Sequence, residues 1–396
     1  MHIPSSRVYC EIRGEEGGVW FVPANGGKES AVLIKAPTST LKALVAGAEL
    51  SFVFAVQDRY LCCGVRVYDV PEAPLLLCRI QRHDEEHATL RRIVAAGQSP
   101  IFLFNEVDVC VAWADSRITN DDSRLLIDFL SMRQEFYAGE FPKPASEFLD
   151  VFCTATNLQE RVTDAANFRA LETTVAHGPW MSNIVSFPGV RDTQSIVLND
   201  LDEGGVLERA IWASLESVFP FTLHRSPQVT VGKKQRELVD VAASYEYGSF
   251  FIEAKDLSIL TAGFDRTRQR RLSGIQKQTR KAIDQLIGAS KAAKRGERIT
   301  DRHGNTVSFI LDRPIHCIVL LSDLMHEGDW RTIEESLGAA MLTTGDFFHV
   351  LDLRELVTML KCSNGDARLL DYNLIKRCER FFETGSVHIR SRPAPR

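Results

Sequence analysis

The stretch from Arg236 to Lys255, RELVDVAASYEYGSFFIEAK, constrains this chain more than any other. Two apolar runs around a short polar break read as a β-hairpin. Yet Asp240 interrupts the first run, and Glu253 and Lys255 interrupt the second. A buried charge without a partner is costly, so the pattern demands either an exposed sheet edge or something that binds the carboxylates. With strands at 236–243 and 249–255, the midpoint between Asp240 and Glu253 falls inside the turn, between Glu246 and Tyr247. A symmetric antiparallel register then sets the two acids directly opposite each other, with Cβ atoms about 4.5–5.5 Å apart. Side chains alternate along a strand, so Lys255 shares the face of Glu253. The other face reads Val239, Val241 and Ala243 against Phe250, Ile252 and Ala254, a consistent core face. A slip of one residue would part the carboxylates.

Two opposed carboxylates repel unless a proton or cation lies between them. A hard divalent ion such as Mg²⁺ takes oxygen ligands and keeps waters, which leaves room for phosphate oxygens. An adjacent lysine can orient or deprotonate a water, or hold charge on a phosphate. The bland alternative is a hairpin edge whose charges face solvent; the apolar residues flanking the charges in FFIEAK argue against it.

Asp240, the hairpin and Glu253-Ala254-Lys255 resemble the core of the PD-(D/E)XK nuclease superfamily, with its restriction-endonuclease-like fold. The resemblance covers about 200–320, and Val239 stands where many members have proline. In that family a preceding helix commonly donates a further glutamate, and Glu208 in GGVLERAIWASL matches that place, with Glu203 and Glu216 as substitutes. A polar-faced helix usually follows the motif; SGIQKQTRKAIDQL stands there, with Gln278, Lys281 and Gln285 on one face and Ser273 and Gln276 as a capping box at its start. The resemblance implies Mg²⁺, with Mn²⁺ as a substitute, held by Glu208, Asp240 and Glu253. It assigns the attacking water to Lys255 and Gln278, and implies a DNA endonuclease acting in restriction, repair or defence. Many members dimerise, which keeps a homodimer open. The rival from another class is a non-catalytic nucleic-acid-binding or interaction protein on the same scaffold.

Electrostatics supports a polyanionic partner locally rather than globally. The chain of 396 residues has a formal net charge of -5, 44% hydrophobic and 25% charged residues, so it exerts no overall pull on nucleic acid or anionic membrane. Residues 264–302, however, hold twelve Lys or Arg against four Asp or Glu. Arg266, Arg268, Arg270, Arg271, Lys277, Arg280 and Lys281 are the candidate phosphate contacts, whose affinity would fall with salt.

The remaining pattern sets the architecture: an α/β protein, with a strand-rich α+β region at 1–120, a mainly helical connector at 121–200 and the nuclease-like domain at 201–396. RVYCEI, GVWFVP, AVLIKA, LSFVFAV and LCCGVRVYDV read as strands, followed by a helix at about 82–96 and the strands IFLFN and VDVCVAW. SRLLIDFLSMRQEF and LQERVTDAANFRALETT read as helices. In the last region a helix (GGVLERAIWASLESVF), the hairpin, a basic helix at about 274–295, PIHCIVLLS, DWRTIEESLGAAML, FFHVLDL and RELVTMLK imply a central mixed sheet flanked by helices. The tail VHIRSRPAPR is expected to fray. The N-terminal region would serve as a recognition module or bind a protein partner.

The nine cysteines form no CxxC and several sit in apolar runs, which points to reduced thiols and a cytoplasmic setting. No stretch approaches the roughly 20 apolar residues of a membrane span, and the first residues lack a signal-peptide core. HDEEH, residues 83–87, fits the H-x-x-E-H pattern of some zinc proteases, with His83 and His87 four apart on a helix and Glu86 as base. No third ligand is identifiable, which leaves a metalloprotease a remote reading.

Overall fold

In the computed structural model, which describes residues 4–70, 72–132, 135–155, 162–165 and 168–392, the chain is a mixed α/β protein whose sheets are flanked by helices. It divides into two units, one comprising Met1–Ile184, Val197–Asn199 and Ala262–Thr267, the other Val185–Ile196, Asp200–Thr261 and Arg268–Arg396.

The first unit opens with a correction. RVYCEI lies in helix α1 (Ser6–Gly14), not a strand: Ser5 accepts from the Val8 amide, and Val8 and Ile12, one turn apart, are fully buried. Capping plus a buried i, i+4 pair outweighs the β-prone composition. The strands are β1 (Gly18–Ala24), β2 (Glu29–Lys35), β3 (Leu50–Gln57), β4 (Tyr60–Val67), β5 (Leu75–Gln81), β6 (Gln98–Phe104), β7 (Cys110–Ile118), β8 (Val162–Ala165), β9 (Phe168–His177) and β10 (Met181–Ser182). They form one sheet in the order β1-β2-β6-β7-β9-β3-β4-β5, with β10 on β7 and β8 on β9. Its helices are α2 (Thr38–Val45), α3 (Asp84–Ala96), α4 (Asn120–Ser131) and α5 (Lys143–Ala155). Phe21 and Phe54 each pack edge-on to Phe52 and lie tilted to each other, while Phe148 and Phe152 of α5 pack with Val53, Ala55 and Cys62.

Two expectations for 121–200 change. Residues 121–184 belong to this first unit. The helix expected at LQERVTDAANFRALETT is, where described, the strand pair β8 and β9; residues 158–161, 166 and 167 lie outside the described residues. β9 runs between β7 and β3. Pairing on both sides satisfies its backbone, and its alternating exposure suits a strand better than the helical spacing of its alanines and leucine suggests.

The second unit centres on a five-stranded sheet, order β13-β16-β17-β19-β20. Its strands are β13 (His224–Arg225), β16 (Val241–Tyr245), β17 (Gly248–Lys255), β19 (His316–Leu321) and β20 (Phe347–Asp352). β13, β16 and β17 are antiparallel, whereas β17, β19 and β20 are parallel. A three-stranded sheet joins β14 (Gln228–Val231), β15 (Lys234–Glu237) and β18 (Arg298–Thr300), and β11 (Ile184–Pro188) pairs with β12 (Thr193–Val197). Six consecutive buried residues in β17 reflect helices on both faces of the sheet. Helix α8 (Arg268–Lys294) packs on β17 and β19 and against α9 (Arg331–Thr344). Helix α6 (Glu203–Leu215) packs on β16 and β17 and against α10 (Leu353–Ser363), which meets α11 (Ala367–Thr384). The short α7 (Ile259–Ala262) follows β17.

Three details depart from expectation. Residues 236–237 belong to β15, and the site strand begins only at Val241. Helix α8 begins at Arg268, so Ser273 lies inside it, exposed, and caps nothing. The C-terminal segment is docked through Ser391 rather than frayed: Arg377 donates to the carbonyls of Val387 and Ile389, and the Ser391 amide donates to Glu355.

Candidate active site at the carboxyl end of β17

β16 and β17 pair with Val241 opposite Ile252 and Tyr245 opposite Gly248. Extending this register by one residue sets Asp240 opposite Glu253, as the hairpin symmetry requires. Asp240 stands just outside the ladder and replaces a backbone acceptor with its side chain, Oδ2 accepting from the Ala254 amide at 2.6 Å. Its own carbonyl accepts from the Ser226 amide at 2.8 Å. The aspartate is therefore held on two sides, and buried Leu238 and Val239 anchor the chain before it.

Glu253 is only 2% exposed. Burial first, then the charge of Asp240, pushes its carboxyl up to about 7, although Lys255 opposes the shift. Lys255 Nζ donates to Glu253 Oε2 at 2.8 Å and lies 3.8 Å from Asp240 Oδ2. Both acids and the lysine thus meet at the carboxyl end of β17, where the sheet switches from antiparallel to parallel neighbours. Crevices at such ends of α/β sheets are the usual ligand sites.

Helix α6, started by Asp202 accepting from the Gly205 amide, brings Glu208 to the same place. Burial, followed by Asp240, raises its carboxyl above the ordinary range, and Arg225 opposes this. Arg225 Nε and Nη2 donate to Glu208 Oε2 at 3.3 and 3.2 Å, and Nη1 reaches Gln194 at 3.4 Å. The substitutes are otherwise engaged: Glu203 accepts from the Leu260 and Thr261 amides, and Glu216 from the Val190 amide. Gln278 is exposed on α8 and makes no hydrogen bond among the described residues.

The chemistry of the set is an excess of oxygen anions. Glu208, Asp240 and Glu253, with Glu237 adding its charge to two of them, face two cations, Lys255 and Arg225. Two carboxyls held above their ordinary range, first by burial and then by the charge of Asp240, show that these cations do not offset burial and repulsion together. An all-oxygen donor set under such repulsion suits a hard divalent ion. The three acids are more open than a closed ion shell: among the described residues, only Glu11, His83 and Glu86 place metal-ligand atoms within 4.8 Å of one another.

That second cluster has cations of its own. Arg79 donates to Glu11 at 2.7 Å and to Glu86 at 2.9 Å, Arg7 donates to Glu11 at 2.8 Å, and His83 Nε2 lies 3.2 Å from Glu11. His87 Nε2 instead lies 2.9 Å from the Gln81 carbonyl. The two histidines of HDEEH do not converge.

Of the basic candidates, Arg270, Lys277, Arg280 and Lys281 are exposed on α8. Arg271 is buried at 4% exposure, Arg268 pairs with Glu327, and Arg266 lies in the segment grouped with the first unit. Arg225, Gln194 and Glu237 went unread in the sequence; an arginine two residues before Pro227, next to a strand carrying an acid, was the available signal. Compared with protein-family models, curated proteins and solved structures, the chain finds no significant match.

Proposed function

We propose that the second unit is a divalent-cation-dependent nuclease of the PD-(D/E)XK kind, hydrolysing phosphodiester bonds in DNA. The observation that carries this reading is the meeting of Asp240, Glu253 and Lys255, in the register the motif requires, with Glu208 supplied by the preceding helix. Glu208, Asp240 and Glu253 would hold Mg²⁺ or Mn²⁺, which when bound supplies Lewis-acid activation of the phosphate and of a water. Asp240 is oriented for this by the Ala254 amide, which occupies Oδ2 and leaves Oδ1 free to coordinate. Lys255 holds the attacking water beside the phosphorus and offsets charge that grows on the phosphate oxygens. Water attacks in line, the P–O bond to the leaving nucleotide breaks, and the proton the water gives up passes through solvent to the leaving oxygen. The exposed cations of α8 hold the flanking backbone.

Incubation of purified protein with supercoiled plasmid and Mg²⁺ or Mn²⁺ tests the reading. Nicked or linear product that disappears with chelator supports it. Metal-independent product, or none with either ion, overturns it; retained DNA binding without cleavage would favour the non-catalytic scaffold.

A further inference from the structure

The strand leading into Asp240 is part of an arm that the catalytic reading leaves unused. Strands β14 and β15 form a hairpin with Val231 opposite Lys234. Gly232 at φ +61 supplies the positive angle that a two-residue type II′ turn needs at its first central position. Every residue of β15 is exposed. Lys234 and Arg236, opposite Val231 and Val229, lie on one face, and Lys233 stands at the tip. Gln235 and Glu237 take the other face, and it is Glu237 whose charge reaches Glu208 and Glu253.

Lys233, Lys234 and Arg236 have no hydrogen-bond or ion-pair partner among the described residues. Many other surface cations of this unit are paired, for example Lys376 with Glu379 and Arg380 with Glu383. The base of the arm is fixed: the Leu238 amide donates to the Pro227 carbonyl at 2.8 Å and the Ser226 amide to that of Asp240 at 2.8 Å. An edge strand anchored at a proposed catalytic aspartate thus carries two unpaired cations, Lys234 and Arg236, with a third, Lys233, at its tip.

The geometry points to this ribbon as a docking arm for duplex DNA, with Lys233, Lys234 and Arg236 on the phosphates flanking the bond to be cut. The inference rests on the nuclease reading. β15 is the exposed edge of the three-stranded sheet β15-β14-β18, and the three unpaired cations it presents complement the phosphate backbone. Chain extension of at most ~3.6 Å per residue puts Arg236 within about 14 Å of Asp240 and Lys233 within about 25 Å. At ~3.4 Å per base pair, the arm contacts DNA up to roughly four to seven base pairs to one side of the cut.

The test uses the full chain carrying Lys233→Ala, Lys234→Ala and Arg236→Ala together, with the single charge reversal Lys234→Glu as a milder second variant. Lys376→Ala with Arg380→Ala serves as a charge-loss control. Binding of a labelled duplex is followed by fluorescence anisotropy in Ca²⁺ over a range of salt, and cleavage in Mg²⁺. The triple variant is expected to lose at least about tenfold in affinity at moderate salt. Its slope of log K against log salt should be shallower by about 2.7, as three lost phosphate contacts require, and KM should rise more than kcat falls. The control should match wild type. Unchanged affinity and slope in both ribbon variants would overturn the arm and leave the nuclease reading intact, and an equal loss on single-stranded DNA would overturn the choice of duplex as its partner. Ribbon-dependent binding without any cleavage would keep the arm and remove the nuclease. Failure of wild-type protein to bind duplex at all overturns both.

Discussion

Oε2 of Glu253 accepts a hydrogen bond from Nζ of Lys255 at 2.8 Å, two residues further along the same strand and on the same face. The pair sits where β17 stops, with Glu253 almost fully enclosed and Lys255 half-buried. A lysine this close would ordinarily lower a carboxyl's pKa. Here burial and Asp240 outweigh it and leave Glu253 titrating at about 7. The Glu253 carboxyl is therefore poised between its protonated and charged forms near neutrality.

Stability should report that balance. The folded Glu253 carboxyl titrates at about 7 against an ordinary value of 4.5, so between these values the folded state holds more protons than the unfolded one. Stability contributed by this group is then greatest at low pH and falls as pH rises through the window, by up to about 3 kcal/mol. Glu253→Gln should flatten the slope and raise the denaturation midpoint at pH 8 in chelator. Parallel pH profiles of the two proteins in urea would refute the assignment.

Cation binding should expel the same proton. Below pH 7 the apparent affinity for Mn²⁺ is expected to drop nearly tenfold per pH unit, since one proton competes with the ion. Calorimetry in buffers of different ionisation enthalpy reads the proton directly. Release of no proton at pH 6 would mean that Glu253 is not a ligand.

Replacing Lys255 by alanine should cut the cleavage rate by about 10²–10⁴, the range expected when a group positioning the attacking water is lost. Duplex binding should stay within about twofold. Gel assays for product and anisotropy for binding separate these effects; equal losses in both would move Lys255 from chemistry to substrate capture.

Arg225 donates to Oε2 of Glu208, so on the proposed reading it would compete with the divalent cation for that oxygen. Arg225→Ala should therefore tighten Mn²⁺ binding by about 1 kcal/mol, roughly fivefold, because a repelling charge leaves a partly buried site. Titration followed by electron paramagnetic resonance measures free Mn²⁺. Weaker binding would instead show that Arg225 orients Glu208 for the ion.

Away from the site, Glu355 and Arg377 form a buried pair at 3.0 Å that also holds the C-terminal segment through Ser391, Val387 and Ile389. Glu355→Ala leaves the guanidinium enclosed without its counter-charge, at a cost of about 3–5 kcal/mol. Urea denaturation should show a lower midpoint, and limited proteolysis should cut within 386–392 first. An unshifted midpoint would mean that water already reaches Arg377.

Local chemistry alone was enough to place the hairpin and its register. A symmetric pairing about the break SYEYGS keeps Val241, Ala243, Phe250 and Ile252 on one face and puts Asp240 against Glu253, and the ladder has this register, closed by a turn of only Glu246 and Tyr247. Most strands and helices were legible for the same reason, since each carries its own period and caps. Three features depended on distant partners and stayed hidden. RVYCEI became a helix because Val8 and Ile12 find a core to enter, and FRALETTVAH became a strand because β3 and β7 leave a gap with unpaired backbone on both sides. Arg225 reaches Glu208 only because β13 joins the edge of β16. Periodicity is a property of neighbours in the chain, whereas burial, charge compensation and the elevated titration of Glu253 arise from residues brought together across it, and only the folded packing could decide those.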